Sequence, residues 1–210
     1  MTASENPIVG VILLRSPEWN PEIYAARLSA GWGISADADA IEKSDGGGSP
    51  LMIRKGGMLA WLQLMEERLP AREKFRPTAE AKSLHAAHAA HVVCVVTGDE
   101  EELRKARFFA AVTGAFCEDE QTLGVLSEEH ITPAAQWLAD AKAYVRTNGD
   151  ELPWGLTVFA DPDCCGGVKS FGLERYAGRE LMAETPDALR KIAAKEAERF
   201  DTLNPPGNAK

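Results

Sequence analysis

Two short apolar runs constrain the fold of this chain more than any other feature of its sequence. Residues 8–14 read IVGVILL and residues 91–96 read HVVCVV. Apolar runs of this length, rich in β-branched residues, are typical of strands buried in a sheet. A helix signal follows each run: an N-cap and a first-turn proline at Asn20 and Pro21, and an acidic first turn at 100–102. The pattern therefore predicts strands that alternate with helices.

The rest of the chain extends this alternation. A hairpin is predicted over 51–65, with its turn at Lys55-Gly56-Gly57. The other predicted elements are strands at 34–41, 122–126 and 154–160, a loop at 161–168, a short extended piece at 171–182, and helices at 21–30, 78–87, 100–115, 132–144 and 186–200. The order strand, helix, strand near the N-terminus is repeated from residue 91 onward. We therefore expect an α/β protein of the α+β type, with two ferredoxin-like half-domains, each a mixed or antiparallel sheet with helices packed on one face.

Length and apolar content bound the domain organisation. The chain has 210 residues, of which 45% are hydrophobic, and this is enough to bury one sizeable core. We expect a single globular domain over 8–200, either undivided or built from pseudo-repeated halves at 8–87 and 88–200. The polar ends predict a flexible N-terminus at 1–7 and a flexible tail at 201–210.

The excess of acidic residues in the chain bears on which classes of molecule it can bind. The chain carries 32 Asp and Glu residues against 23 Lys and Arg residues, a net charge of −9. Such a surface repels phosphate backbones and anionic membranes, so we predict no nucleic-acid binding and no membrane binding. It attracts a basic protein, mainly by speeding association. The plainer interpretation is that the charge keeps the protein soluble, and the sequence leaves the oligomeric state open.

The N-terminus and the cysteines indicate a cytoplasmic protein. Residues 1–7 lack the basic and apolar regions of a secretory signal, and no apolar run approaches the ~20 residues that span a bilayer. The spacing of Cys94, Cys117, Cys164 and Cys165 does not resemble a secreted disulfide framework. We therefore expect reduced thiols.

Familiar catalytic fingerprints are absent from the sequence. It has no nucleophile elbow, no zinc-protease motif, no kinase motif and no glycine loop of the phosphate- or dinucleotide-binding type. We therefore predict no catalytic residue, no cofactor-binding residue and no cofactor.

Three histidines spaced three apart, His85, His88 and His91, are the candidate metal ligands. On one helix they would stay on roughly one side, where neutral imidazoles can bind zinc. The valines after His91 indicate that it already begins a strand, and no carboxylate or cysteine accompanies the three at a standard spacing. We therefore favour a structural role, in which the histidines cap carbonyls or pack on the sheet, and predict no metal site.

The segment 161–180 holds carboxylates that could do chemistry. Asp161, Asp163, Glu174 and Glu180 could cluster for acid–base work or bind a hard cation. Aspartates two apart are also common in turns, where each side chain bonds its own backbone. Turn formation is the favoured interpretation.

The adjacent Cys164 and Cys165 lie in a glycine-rich loop of the same segment. A thiolate there could act as a nucleophile or a redox sensor. A disulfide between neighbours is strained, because their Cα atoms are only about 3.8 Å apart. No orienting histidine is close in sequence, so an incidental loop pair is the favoured interpretation.

Two acidic runs are the predicted partner-binding residues: Glu100, Glu101 and Glu102, and Glu118, Asp119 and Glu120. Most acidic runs are only solvated faces, but these are the best pointer in the sequence to a basic partner. Trp19, Trp32 and Trp154 lie near element ends, where part-exposed aromatic rings can anchor an interface. Core packing is the favoured role for each tryptophan.

Three segments together resemble a known family. They read HAAHVVCVV at 88–96 followed by TLGVL at 122–126, LTVFAD at 156–161, and SFGLERYAGREL at 170–181 before a final helix. In order and spacing they resemble the bacterial domain of unknown function 4261 family, over about residues 8–200. Its most specific part is Gly172-Leu173-Glu174 with Glu180-Leu181. The resemblance implies a small cytoplasmic bacterial protein without a cofactor and with no assigned chemistry, encoded near toxin or secretion genes.

Charge, size, missing catalytic motifs and the family resemblance favour a non-enzymatic protein-binding module, such as an immunity or adaptor protein for a bacterial toxin or effector. The alternative is a metal-dependent or hydrolytic enzyme that uses His85, His88 and His91 or the 161–180 loop. A third hypothesis is a structural subunit that self-associates through a sheet edge. Absence of a motif does not decide among them, because sites are assembled in space.

Overall fold

The computed structural model describes residues 6–34, 50–71, 78–147 and 151–203. The elements in chain order are β1 (Ile8–Leu14), α1 (Pro21–Trp32), β2 (Leu51–Lys55), β3 (Met58–Met65), α2 (Ala79–Ala87), β4 (Ala90–Gly98), α3 (Glu102–Phe116), β5 (Thr122–Ser127), β6 (His130–Pro133), α4 (Ala134–Arg146), β7 (Phe159–Pro162), β8 (Val168–Phe171), α5 (Glu174–Ala177), β9 (Met182–Ala183) and α6 (Pro186–Leu203). The predicted strand at 34–41 lies, beyond its first residue, outside the described residues.

The strands form two antiparallel sheets, a six-stranded one in the order β2-β3-β4-β1-β5-β6 and a three-stranded one in the order β7-β8-β9. The α+β class is therefore confirmed, and of the two sheet types expected, the antiparallel one is found. Beyond this, the strands before and after residue 88 share one sheet, because β1 lies between β4 and β5. Strand β1 is an apolar run bonded along both edges, as is typical of a strand inside a sheet.

Helix α3 covers one face of the large sheet. It packs on β1, β3 and β4 and is flanked by α1 and α4. Gly10 of β1 allows this close approach: a Cβ there would lie 2.5 Å from the ring of Phe109, which is fully buried. On α4, Trp137 is also fully buried, and its Nε1 donates to the Thr113 hydroxyl at 2.9 Å. This face holds the main core.

The helix boundaries follow from local chemistry. The Asn20 side chain accepts from the backbone N–H groups of Glu22 and Ile23, as the predicted N-cap of α1. Gly33, at φ 61°, ends the same helix in a left-handed conformation. Thr78 caps α2 by accepting from the N–H of Ala81. No helix in the described ranges is long and apolar enough to cross a membrane.

The described residues cover the second face of the large sheet only in part. Helix α2 packs against β5 and β6, where Leu13, Leu69 and Leu123 form a small second cluster. In the described residues this helix has no comparable packing on β2, β3 or β4, although β4 begins just after the helix ends.

The segment from residue 154 to residue 183 differs from its prediction. The predicted strand at 154–160 begins only at Phe159, because the N–H groups of Leu156, Thr157 and Val158 all donate to the Pro153 carbonyl in a turn. The predicted extended piece at 171–182 contains the short helix α5, after Gly172 ends β8 at φ 77°.

The chain ends lie largely outside the described residues. Of the predicted flexible N-terminus, Asn6 and Pro7 are described, and their carbonyls accept hydrogen bonds from Arg175. Of the predicted tail, residues 201–203 continue α6. Residues 1–5 and 204–210 are outside the description.

Candidate functional site

The three histidines lie where α2 meets β4, and His88 is bonded through both ring nitrogens. Its Nε2 accepts from the backbone N–H of Leu69 at 2.8 Å, and its Nδ1 donates to the carbonyl of His85 at 2.5 Å. Nδ1 of His91 donates to the carbonyl of Glu67 at 2.8 Å. These bonds hold the chain after β3 against α2 and β4. With its nitrogens engaged by the backbone, His88 has no lone pair left for a metal.

His88 is fully buried, and burial lowers its pKa. The nearby charges of His85, Arg68 and His91 also lower this pKa, whereas the hydrogen bond to the His85 carbonyl raises it. A buried imidazole with a lowered pKa stays neutral while the unfolded chain takes up a proton below about pH 6.5. The unfolded state then binds more protons. Stability is therefore complete above that pH and declines as the pH falls from there toward the folded-state pKa.

We expect His88→Gln to lower the free energy of unfolding by about 1–3 kcal/mol at pH 7.5, because the glutamine amide can replace at most one of the two hydrogen bonds that the imidazole makes to the backbone. Urea unfolding at pH 7.5 and pH 5.5 checks this. The wild-type chain should lose more stability between these pH values than the variant does, because only the wild type has the buried imidazole. Equal pH dependence in both proteins would contradict the assignment.

The four carboxylates of segment 161–180 have separate partners. Asp161 bonds His130, Asp163 lies at the tip of the β7–β8 hairpin, and Glu180 accepts from the Ser170 hydroxyl at 2.5 Å. The side chain of Glu174 is exposed, and its backbone N–H donates to Glu180. The hairpin and the α5 turn place these groups on different elements, so they do not converge on one reacting atom.

His130, which the sequence did not single out, links the β5–β6 turn to β7. Its ring stacks on Phe159 at a centroid distance of 4.2 Å. Nδ1 donates to the Glu128 carbonyl at 2.7 Å, and Nε2 lies 2.9 Å from an Asp161 carboxylate oxygen. Since both nitrogens are bonded, and the Ser170 hydroxyl is held by Glu180, no serine–histidine nucleophile is assembled here.

Glu128, in the same turn, is a part-buried carboxylate at φ 46°. Burial raises its pKa; the positive charge of Arg175 partly offsets this, and the nearby negative charge of Glu180 adds to it. Perturbed carboxylates of this kind mark functional sites or structural charge networks. The neighbouring charges of Arg175 and Glu180 make a structural charge network the better supported interpretation here.

The six predicted partner-binding residues lie at opposite ends of α3. Residues 100–102 precede or begin this 15-residue helix and residues 118–120 follow it, so about 22 Å of helix separates the groups. Most of their charges are paired within the chain. The pairs are Glu100 and Glu101 with Arg104, Glu102 with Lys105 and Arg175, Glu118 with Lys142, and Asp119 with Arg27. Glu120 is exposed.

The three predicted aromatic anchors pack largely into the core. Trp32 is buried, and Trp19 and Trp154 are partly buried against the main cluster. Arg190 lies over the ring of Trp154 at 5.7 Å from its centroid. Trp19 also lines a cleft of about 390 Å³ with Asp119, a volume at the lower end of the range of small-molecule sites.

The described surface includes a group of neighbouring apolar side chains on the large sheet, which we call the open face. Its six side chains point away from α3 on the strands that α2 leaves uncovered: Val9, Met52, Leu59, Trp61, Val93 and Val95. Met52, Trp61, Val95 and Val9 form one row across four strands, as the register of the pairs shows. In the described ranges, none of the six packs against either core cluster.

The composition of the open face is unusual for a solvated sheet. The outer face of an antiparallel sheet normally alternates with the core face and carries polar residues. Strand β3 instead reads MLAWLQLM, with Gln63 as its one polar residue. Val9 is 48% exposed. The missing polar alternation of β3 is visible in the sequence, where this segment is predicted only as one strand of a hairpin.

Comparison with protein-family models, with curated proteins and with solved structures finds no match.

Proposed function

We propose that this protein is a non-enzymatic protein-binding module whose open face receives an apolar segment of a basic protein. The observation that carries the proposal is the row of Met52, Trp61, Val95 and Val9 on the side of the sheet that the described helices leave uncovered. Val9 is exposed and the other three side chains are partly exposed, and contiguous apolar surface of this kind marks interaction sites. An aromatic ring among aliphatic neighbours also matches the usual composition of an interface centre.

The charge of the chain favours a basic partner over a second copy. Two copies would each bring a net charge of −9 to the contact, so they repel one another. Exposed Asp99 and Glu101 follow the end of β4, the strand that carries Val93 and Val95 of the open face. These charges would accelerate the approach of a basic protein, and the apolar row would supply most of the affinity.

An immunity or adaptor role toward a toxin or effector, in a cytoplasmic setting, is the form of this proposal that we favour. It is supported by the small acidic chain and by an apolar surface that a partner could cover. The resemblance to the domain of unknown function 4261 family stays a prediction. The side chains of His88, Asp161 and Glu180 are engaged in internal hydrogen bonds, which gives an enzyme that uses these three residues less support.

Photocrosslinking in the host tests the proposal. A benzophenone side chain replaces Trp61 in the full chain and, in a control, replaces Ile192 on α6, which is 42% exposed. We expect irradiation to link position 61 to one protein of high isoelectric point and to leave position 192 without that product.

The affinity of the purified partner for two variants then shows whether the open face binds it specifically or only lies near it during crosslinking. We expect Val9→Lys to weaken binding by at least tenfold, roughly the loss at a contributing interface residue. Ile192→Lys makes the same change at a similar exposure, 42% against 48%, and should leave affinity unchanged. A crosslinked product of two copies of this chain, no product at position 61, or equal effects of the two variants would contradict the proposal.

A further inference from the structure

The tip of the β7–β8 hairpin carries three adjacent side chains with metal-binding atoms, which the proposed function does not use. Asp163, Cys164 and Cys165 each offer one ligand atom, and these atoms lie within 4.8 Å of one another. Both cysteines are exposed free thiols. This is the one such group found among the described residues.

The backbone holds these residues in a closed turn. The N–H of Asp163 donates to the Gly167 carbonyl at 2.7 Å, and the N–H of Gly166 donates back to the Asp163 carbonyl at 3.2 Å. Gly166 has φ 89°, and a Cβ at Gly167 would lie 2.6 Å from the Ala183 carbonyl oxygen of β9. The turn is therefore fixed against its neighbour strand, and the three side chains project from a defined frame.

The separation of the two sulfurs matches a shared cation. Cys164 Sγ and Cys165 Sγ are 3.7 Å apart. Two thiolates bound at about 2.3 Å to one tetrahedral zinc ion lie about 3.8 Å apart. A disulfide would need about 2.05 Å and a strained geometry between neighbours. The frame thus holds the sulfurs close to the spacing that a zinc-type ion requires.

We propose that this hairpin tip binds one thiophilic divalent cation of the zinc type through the thiolates of Cys164 and Cys165 and the carboxylate of Asp163. Thiolate ligands select soft or borderline ions over magnesium and calcium. Three protein ligands leave a fourth, open position, as in zinc sites that exchange a water or accept an outside ligand. The exposed position of both thiols gives the ion direct access from solvent.

Binding is coupled to proton release. On binding, two S–H bonds break, two metal–sulfur bonds form, and two protons leave to the buffer. Affinity therefore falls as the pH is lowered. The other two cysteines do not compete, because burial raises the pKa of both Cys94 and Cys117 and keeps those thiols protonated.

Titration with cadmium tests the site, because each cadmium–thiolate bond adds an ultraviolet charge-transfer absorption. The purified full chain is reduced with a phosphine, stripped with a chelator and titrated with Cd²⁺, with zinc added as competitor. We expect the absorption to saturate at one Cd²⁺ per chain, to release protons, and to disappear on zinc addition.

Variants locate the ligands. The double variant Cys164→Ser, Cys165→Ser should lose the absorption while Cys94 and Cys117 remain and the circular dichroism spectrum is unchanged. Asp163→Asn should weaken binding by about 10- to 100-fold, the scale of losses at metal sites, and the exposed control Asp99→Asn should have no effect. Absence of absorption at ten equivalents, absorption retained in the double variant, or equal affinity in Asp163→Asn and Asp99→Asn would overturn the proposal.

Discussion

Replacing Glu102 with alanine is expected to lower the free energy of unfolding by about 3 kcal/mol, because it leaves a buried ammonium group without its carboxylate. The side chain of Lys105 is only 3% exposed, and its Nζ lies 2.6 Å from Glu102 Oε1. The other carboxylate oxygen accepts from Arg175 at 2.9 Å. Glu102 thus joins the start of α3 to α5, and urea unfolding at neutral pH measures the loss.

Glu101→Ala is the matched control, one residue earlier in the same helix start. The Glu101 side chain is 53% exposed and its pair with Arg104 is 3.7 Å long, so its removal should cost only about 0–1 kcal/mol. The double variant Glu102→Gln, Lys105→Met should recover most of the stability, since it removes the buried charge as well. Similar losses for Glu101→Ala and Glu102→Ala would show that Lys105 does not depend on Glu102.

Replacing Trp137 with alanine is expected to cost about 3–5 kcal/mol, the loss typical of a large aromatic residue removed from a core. The ring is fully buried between α4 and α3, and it meets Phe109 edge-on at a centroid distance of 6.0 Å. Its Nε1 donates to the hydroxyl of Thr113, which itself donates to the Phe109 carbonyl at 2.7 Å. Chemical denaturation, followed by far-ultraviolet circular dichroism, checks the value.

The stability loss of Trp61→Ala shows whether Trp61 is a core residue or a surface residue. Trp61 lies on the open face and packs against neither core cluster of the described residues, so Trp61→Ala should cost about 1 kcal/mol, the scale of a cross-strand contact. A loss as large as that of Trp137→Ala would mean that Trp61 is a core residue. The protein-binding proposal would then lose its main support.

Local signals predicted the elements well where they act over a few residues. The N-cap at Asn20, the hairpin turn at Gly56-Gly57 and the strand that became β4 all depend on neighbours in sequence. The turn before Phe159 was not predicted, because three N–H groups share the Pro153 carbonyl there and the apolar residues alone are typical of a strand.

The strand order and the positions of the candidate site residues depend on contacts between segments that are distant in sequence. Local sequence patterns do not predict such contacts. His130 gains its place only when the fold brings Asp161 to 2.9 Å. Glu102 belongs to an acidic run, yet it is distinguished from Glu101 by the burial of Lys105. The open face could have been noticed from the missing polar alternation in β3, but which side of that strand α3 covers comes only from the structure.

The central position of β1 has a consequence for biosynthesis. This strand leaves the ribosome before its partners β4 and β5, whose paired residues are made about 76 to 115 residues later. Until then the IVGVILL segment has two unsatisfied edges and two apolar faces. Cotranslational folding of the large sheet therefore cannot finish before β5 emerges, and until then β1 is a stretch that chaperones would need to shield.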